Sequence, residues 1–130
     1  MKKTILLFLI ILSSNSFSQS LEKQEDNTIY NLAGIDVKPE YPDGLKQLNA
    51  YVNENYLKSG YASERKGKIY TLFVVEKDGT LSDIKILRGV DLEKSKALIQ
   101  ILKNSPKWKP GKQNGKLVRV LYALPLIIGS

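Results

Sequence analysis

Residues Lys68–Leu87, KIYTLFVVEKDGTLSDIKIL, decide the fold. Lys68 to Glu76 is rich in β-branched and aromatic residues, with apolar side chains on both faces, and predicts a central strand. Lys77-Asp78-Gly79-Thr80 follows, and Asp-Gly between two apolar runs is the strongest short-range hairpin signal. Leu81 to Leu87 returns as the second strand, with Ile84 and Ile86 on one face and Asp83 and Lys85 on the other.

The pattern changes period on the C-terminal side of this pair. Asp91 is placed to cap a helix with Glu93 in its first turn and Lys103 in its last, both suited to the helix dipole. Leu98, Ile101 and Leu102 supply its apolar face and Pro106 ends it. Trp108, Pro110 and Gly111 make a rigid connection, and Asn114-Gly115 makes a turn. The last strand is predicted from Lys116 to Leu124, with Val118, Val120, Tyr122 and Leu124 on one face. Pro125 lacks a ladder donor, so the strand should end there or lie at a sheet edge.

On the N-terminal side, Leu45, Leu48, Val52 and Tyr56 follow helical spacing, with Tyr51 beside them. Asp43 is the expected cap and Gly60 the expected stop. Pro39 and Pro42 force extended or turn backbone around Glu40 and Tyr41. Ile29 to Val37 alternates loosely and predicts a short extended segment; Ser59 to Lys66 reads as an irregular turn. Helices against an antiparallel sheet define an α+β domain.

The chain has 130 residues and no cysteine or histidine. That excludes a disulfide framework, a thiol nucleophile, thiolate or imidazole metal ligands and a Ser-His-Asp triad. Neither a Gly-rich phosphate loop nor a metal-binding spacing is present, so neither catalytic residues nor cofactors are expected. Asp78, Asp83 and Asp91 read more simply as a turn, an open strand position and a helix cap.

Met1-Lys2-Lys3, the apolar run Ile5–Leu12 and the small polar tail Ser13–Ser18 have the form of a secretory signal peptide. The apolar run is far short of the roughly 20 residues that span a bilayer, so no permanent membrane span is expected. Cleavage after Ser18 removes two of the 20 basic residues and lowers the formal charge from +7 to +5. The expected location is the periplasm. The expected organisation is a signal peptide over 1–18, a flexible leader over 19–30 and one domain over 31–128.

The remaining positive charge is densest around Lys107, Lys109, Lys112 and Lys116. Interleaved with Trp108 and Tyr122 it imitates a nucleic-acid surface. Export and the Pro-Gly-Asn-Gly turn chemistry favour a solvated basic turn around a structural tryptophan, and no nucleic-acid partner is expected.

Together the segments resemble the C-terminal domain of the TonB energy-transducing family, in its stand-alone secreted version. The carriers of this resemblance are Val37-Lys38-Pro39-Glu40-Tyr41-Pro42-Asp43-Gly44, Phe73-Val74-Val75-Glu76-Lys77-Asp78-Gly79 and Ile86-Leu87-Arg88-Gly89-Val90-Asp91. The most specific is the run from Ser105 to Lys116, SPKWKPGKQNGK, placed between helix and final strand. The resemblance extends from about Asn31 to Ile127.

It implies a three-stranded antiparallel sheet with two helices packed on one face, and Lys68–Glu76 between the other two strands. It also implies a non-enzymatic protein that recruits an extended peptide, such as the TonB box of an outer-membrane transporter, alongside the last strand. An exposed edge offers unpaired N–H and C=O groups that an incoming strand satisfies. Carried onto this chain, the edge is Leu117, Val118, Arg119, Val120, Leu121 and Tyr122. The implied partner is a TonB-dependent transporter or another envelope protein. The alternative is an envelope domain that self-associates as a homodimer through the same edge or binds cell-wall polymer. Full-length transducers add a membrane anchor with a histidine and a long proline-rich spacer; the expectation here is the binding end without the motor end.

Overall fold

The computed structural model describes residues 26–61, 67–88 and 90–129. The segment read as a signal peptide, the leader as far as residue 25 and most of the turn expected over Ser59–Lys66 lie outside them. In chain order the elements are β1 (Ile29–Asn31), α1 (Leu45–Lys58), β2 (Gly67–Val75), β3 (Leu81–Arg88), α2 (Leu92–Lys103), β4 (Gly111–Gln113) and β5 (Lys116–Ile128).

The β2–β3 hairpin forms where its sequence predicts, through a three-residue loop. Glu76 N–H donates to the Thr80 carbonyl at 2.8 Å, and Gly79 N–H donates to the Glu76 carbonyl at 2.9 Å. Gly79 sits at φ 87°, the left-handed residue that closes this turn class. A Cβ there would also lie 2.2 Å from the Trp108 carbonyl oxygen, so glycine is needed for space as well as for backbone. Further along, Leu72 pairs with Lys85 but Val74 pairs with Ser82, leaving one extra residue in β3. Asp83, at φ 48°, marks this bulge. The inserted residue changes the alternation, so Leu81 joins Ile84 and Ile86 against the core.

The strand order is β1-β5-β2-β3, with β4 paired to β5 off that path. β2 lies between β3 and β5 and is antiparallel to both. The sheet is not the three-stranded antiparallel one expected: it has five strands and is mixed, because β1 joins β5 in parallel. β1 and its partner residues are some 90 positions apart, so no local turn signal announces the pairing. Ile29 and Tyr30, read as the end of the leader, lie in this strand.

β5 also runs past the predicted end at Leu124 to Ile128. Pro125 stays within it, opposite Tyr70, at a position whose backbone faces away from β2. The missing N–H therefore costs the β2 ladder nothing.

α1 buries Leu48, Val52 and Tyr56, whereas Leu45 remains 40% exposed. Asp43 does not cap it. The chain enters through two left-handed residues, Asp43 (φ 64°) and Gly44 (φ 93°), after a Tyr41–Gly44 turn. Gly44 therefore takes the cap position and no side-chain cap bond forms. The helix ends in a Schellman motif: Tyr61 N–H donates to the Tyr56 carbonyl and Gly60 N–H to the Leu57 carbonyl. The Tyr56 and Tyr61 rings pack 5.5 Å apart across it. In α2 the expected cap is present, with Asp91 Oδ1 accepting from Lys94 N–H at 3.0 Å.

Both helices share one core cluster with Ile69, Phe73 and Val75 of β2, which places them on one face of the sheet. Trp108 closes this core as the sequence predicts. It is 2% exposed, edge-on to Tyr41, Phe73 and Tyr122, and its backbone N–H donates to the Gly79 carbonyl at 2.9 Å. A smaller cluster of Ile35, Val118 and Val120, with Tyr30 and Leu32 packed on it, lies under β1.

Candidate functional site

The site follows from which backbone groups of β5 remain unpaired. An antiparallel ladder turns successive residues alternately toward and away from each neighbour. Ile127 N–H donates to Asn49 Oδ1 at 2.9 Å, and Ile127 carbonyl accepts from Asn53 Nδ2 at 2.8 Å. Ile127 thus points its backbone away from β2. The register to β2 is continuous from Ile128 to Val120, so Pro125, Ala123 and Leu121 share that outer side.

Part of the outer side is occupied, and the start of β5 is tied into a hairpin. Val120 and Leu121 each pair with β2 on one side and with β1 on the other, as Val75–Val120–Tyr30 and Val74–Leu121–Asn31. Arg119 pairs with Ile29. Leu117 and Val118 pair with Lys112 and Gly111 of β4. Tyr122 pairs with Phe73 of β2, its ring stacked on the phenylalanine at 5.6 Å. Of the six residues assigned to the edge, five therefore already have a strand neighbour on the side away from β2 or in the β4 hairpin. Among the described residues, a stretch without a strand on the outer side begins at Tyr122 and ends where the asparagines fasten Ile127.

β1 is clamped as well as paired. Arg119 Nε donates to Glu76 Oε1 at 2.8 Å and its Nη2 to Oε2 at 3.1 Å, a two-point guanidinium–carboxylate fork. Its remaining arm, Nη1, donates to the Asn27 carbonyl at 3.1 Å. Ser82 Oγ donates to Glu76 Oε2 from the neighbouring strand. The Arg119 fork, then Ser82, hold the Glu76 carboxyl below the usual glutamate range. Lys77 Nζ donates to the Asp26 carbonyl, one residue before Asn27.

Asp26 in turn accepts from Thr28 N–H and from the Tyr30 hydroxyl, each at 3.0 Å. Hydrogen bonds from the Thr28 side chain, the Thr28 N–H and Tyr30, in that order, lower the Asp26 pKa to about 2. Lys77 and Arg119 thus hold the backbone of the segment before β1 at Asp26 and Asn27, and Tyr30 of β1 and Leu32 just after it rest on Val118 and Val120.

The basic turn is exposed at Lys107, Lys109, Lys112 and Lys116. Its backbone is zipped to the segment ahead of α1: Lys109 exchanges hydrogen bonds with Glu40, and Lys112 with Val37, at 2.8 to 3.0 Å. A Cβ on Gly111 would come within 2.6 Å of Val120 Cγ2, so the turn packs close to β5. Among the described residues there is no metal-type cluster of Asp and Glu. Nor is any helix among them long and apolar enough to cross a membrane.

Sequence reasoning missed Asn49 and Asn53, and missed Glu76 as the partner of Arg119. Two asparagines four apart inside a helix were the available signal, since asparagine disfavours helix interiors and its presence asks for a bond elsewhere. Glu76 carried no such signal, because a strand-end glutamate beside the charged turn Lys77-Asp78 looks solvated.

None of the curated proteins compared matches the sequence. Residues 54–127, from within α1 to within β5, match the family model for the Gram-negative bacterial TonB protein C-terminal region. With more than half its length in that match, the chain belongs to the TonB C-terminal family, a periplasmic family of non-enzymatic protein-interaction domains.

Proposed function

We propose that this protein is a periplasmic binding module that recruits an extended peptide to the outer edge of β5 in TonB-dependent transport. The TonB box of an outer-membrane transporter is the ligand type this family membership suggests. The mechanism is non-covalent strand addition: backbone bonds supply affinity and alternate side chains supply selectivity. The protein carries out no chemistry of its own, and residues 1–18 direct it to the periplasm.

One observation carries this reading. The outer side of β5 already accepts a strand, β1, over only three residues, and Ala123 beyond it faces outward with no strand opposite among the described residues. An edge that pairs with one segment in this way has the geometry to pair with another.

The test is a proline at Ala123. Val120→Pro would be uninformative, because Val120 is fully buried and paired on both sides. Ala123 is exposed and turns its N–H away from β2. Ala123→Pro should keep the fold by circular dichroism and remove binding of a synthetic TonB-box peptide. Unchanged affinity in a folded variant would refute strand addition at this edge. Self-association through the same edge would instead appear as a dimer in sedimentation that the peptide dissociates.

A further inference from the structure

We propose that Asp26–Leu32 is a tethered stand-in for the partner strand, which an incoming peptide must displace and whose pattern it must reproduce. This rests on the strand-addition reading above and names what that site selects. The segment meets β5 and the β2–β3 turn through three kinds of contact, and each implies something about a competitor.

The first is the ladder itself, Ile29–Asn31 against Arg119–Leu121. Three residues make a short ladder beside the typical strand of about 5–6, so exchange sacrifices few bonds. The second is a pair of cations that read main-chain carbonyls: Arg119 on Asn27 and Lys77 on Asp26. Any peptide can offer a carbonyl, so these contacts fix position without demanding a sequence. Arg119 needs no reorganisation to make its contact, since Glu76 already holds it.

The third contact is selective. Tyr30 and Leu32, two apart, lie on the patch formed by Ile35, Val118 and Val120, while Ile29 between strand and solvent stays 45% exposed. The competitor this surface fits is therefore an extended segment with apolar or aromatic residues at two alternate positions. Just upstream of them it should be acidic or uncharged, because Lys77 and Arg119 stand there. Asp26 supplies that negative charge in the stand-in, and it also pre-forms the bend by accepting from Thr28 and Tyr30.

Tethering sets the strength of the competition. Covalent attachment through the short stretch to Ile35 gives the segment an effective concentration of at least the order of millimolar. A free peptide then binds with its intrinsic constant divided by the fraction of molecules whose edge is open. Loosening the segment should raise peptide affinity, and locking it should abolish binding.

The chain has no cysteine, so a lock can be introduced without side pairing. Asn31 and Leu121 are direct partners, and Asn31→Cys with Leu121→Cys places a disulfide between β1 and β5. The probe is a capped, labelled heptapeptide DNTIYNL, the sequence of residues 26–32, added to the full chain. It should bind the reduced double variant and lose about tenfold or more of its affinity on oxidation, as expected when the open fraction collapses. Tyr30→Ala, which weakens the docked segment without touching β5, should bind the peptide more tightly than the parent chain. This variant keeps the proposal testable if the double variant does not fold.

Equal binding in the oxidised and reduced forms overturns the proposal. So does failure of the heptapeptide to bind every form, Tyr30→Ala included. Either result leaves the Ala123→Pro experiment with a TonB-box peptide to decide strand addition by itself, so the two failures are distinguishable.

Discussion

The two halves of the outer side of β5 solve one problem in different ways. Toward Ile128 the free backbone groups are fastened by side chains: Asn49 and Asn53 of α1 take the N–H and carbonyl of Ile127, and Asn53 also takes Gly129 N–H at 2.9 Å. Over Arg119–Leu121 they are covered by main chain, through β1. A rigid helix anchored in the core provides the first kind of cover. A three-residue strand over a small satellite cluster provides the second. Exposed strand edges invite unwanted pairing, and both devices suppress it, yet only the second is itself a strand, the kind of cover the proposal has a partner replace. The difference teaches where strand addition would act: at the cover made of a short strand rather than the one made of core-anchored side chains.

That contrast can be broken from the core outward. Leu126 is fully buried beneath the asparagine-fastened half. Leu126→Ala should cost about 2–5 kcal/mol of global stability by denaturant unfolding, the range for a large-to-small change in a packed core. It should loosen both halves together, because it acts on the cluster that unites α1, α2 and the sheet.

A smaller and more local effect is expected from Asn53→Ala, which deletes the bonds to Ile127 and Gly129. It should cost about 1–2 kcal/mol and raise amide exchange at Gly129 while Val120 and Leu121 are unchanged. Equal changes at both ends would mean that the halves are not independent.

The smallest effect is the response to pH. The Asp26 carboxyl, which shapes the docked segment through Thr28 and Tyr30, and the Glu76 carboxyl, which holds the Arg119 that reaches Asn27, both sit below their ordinary values. A depressed carboxyl pKa contributes stability that is present above the unfolded value and is lost as pH falls through the folded one. Docking of β1 should therefore be constant from pH 8 to 5 and weaken only below about 4, on the way to the Asp26 value of about 2. Amide exchange or the Tyr30 resonances would follow it. Release of β1 between pH 7 and 5 would contradict the clamp.

Legibility from sequence divides along the same line. The hairpin, the apolar stripe of α1, the Asp91 cap and the Trp108 lid were readable, because each depends on contacts within a turn or on simple periodicity. The edge was readable as a strand and not as an environment. What covers Arg119–Leu121 comes from some 90 residues away, and what fastens Ile127 comes from 74 to 78 residues away. Asp43 misled for a local reason: a left-handed entry at Asp43 and Gly44 competes with a conventional cap, and aspartate tolerates that conformation. The β3 bulge was invisible because Ile84 and Ile86 alternate correctly by themselves; only Leu81 requires the inserted residue.

The central claim is that a partner strand adds to the outer side of β5. Its most direct test is residue-resolved amide hydrogen exchange with and without a bound TonB-box peptide. Strand addition predicts that the outward-facing Ala123 N–H, which meets no strand among the described residues, gains protection in the complex, while the amides of β1 lose it. A saturating peptide that leaves Ala123 exchanging as before, with protection appearing elsewhere, would contradict the account.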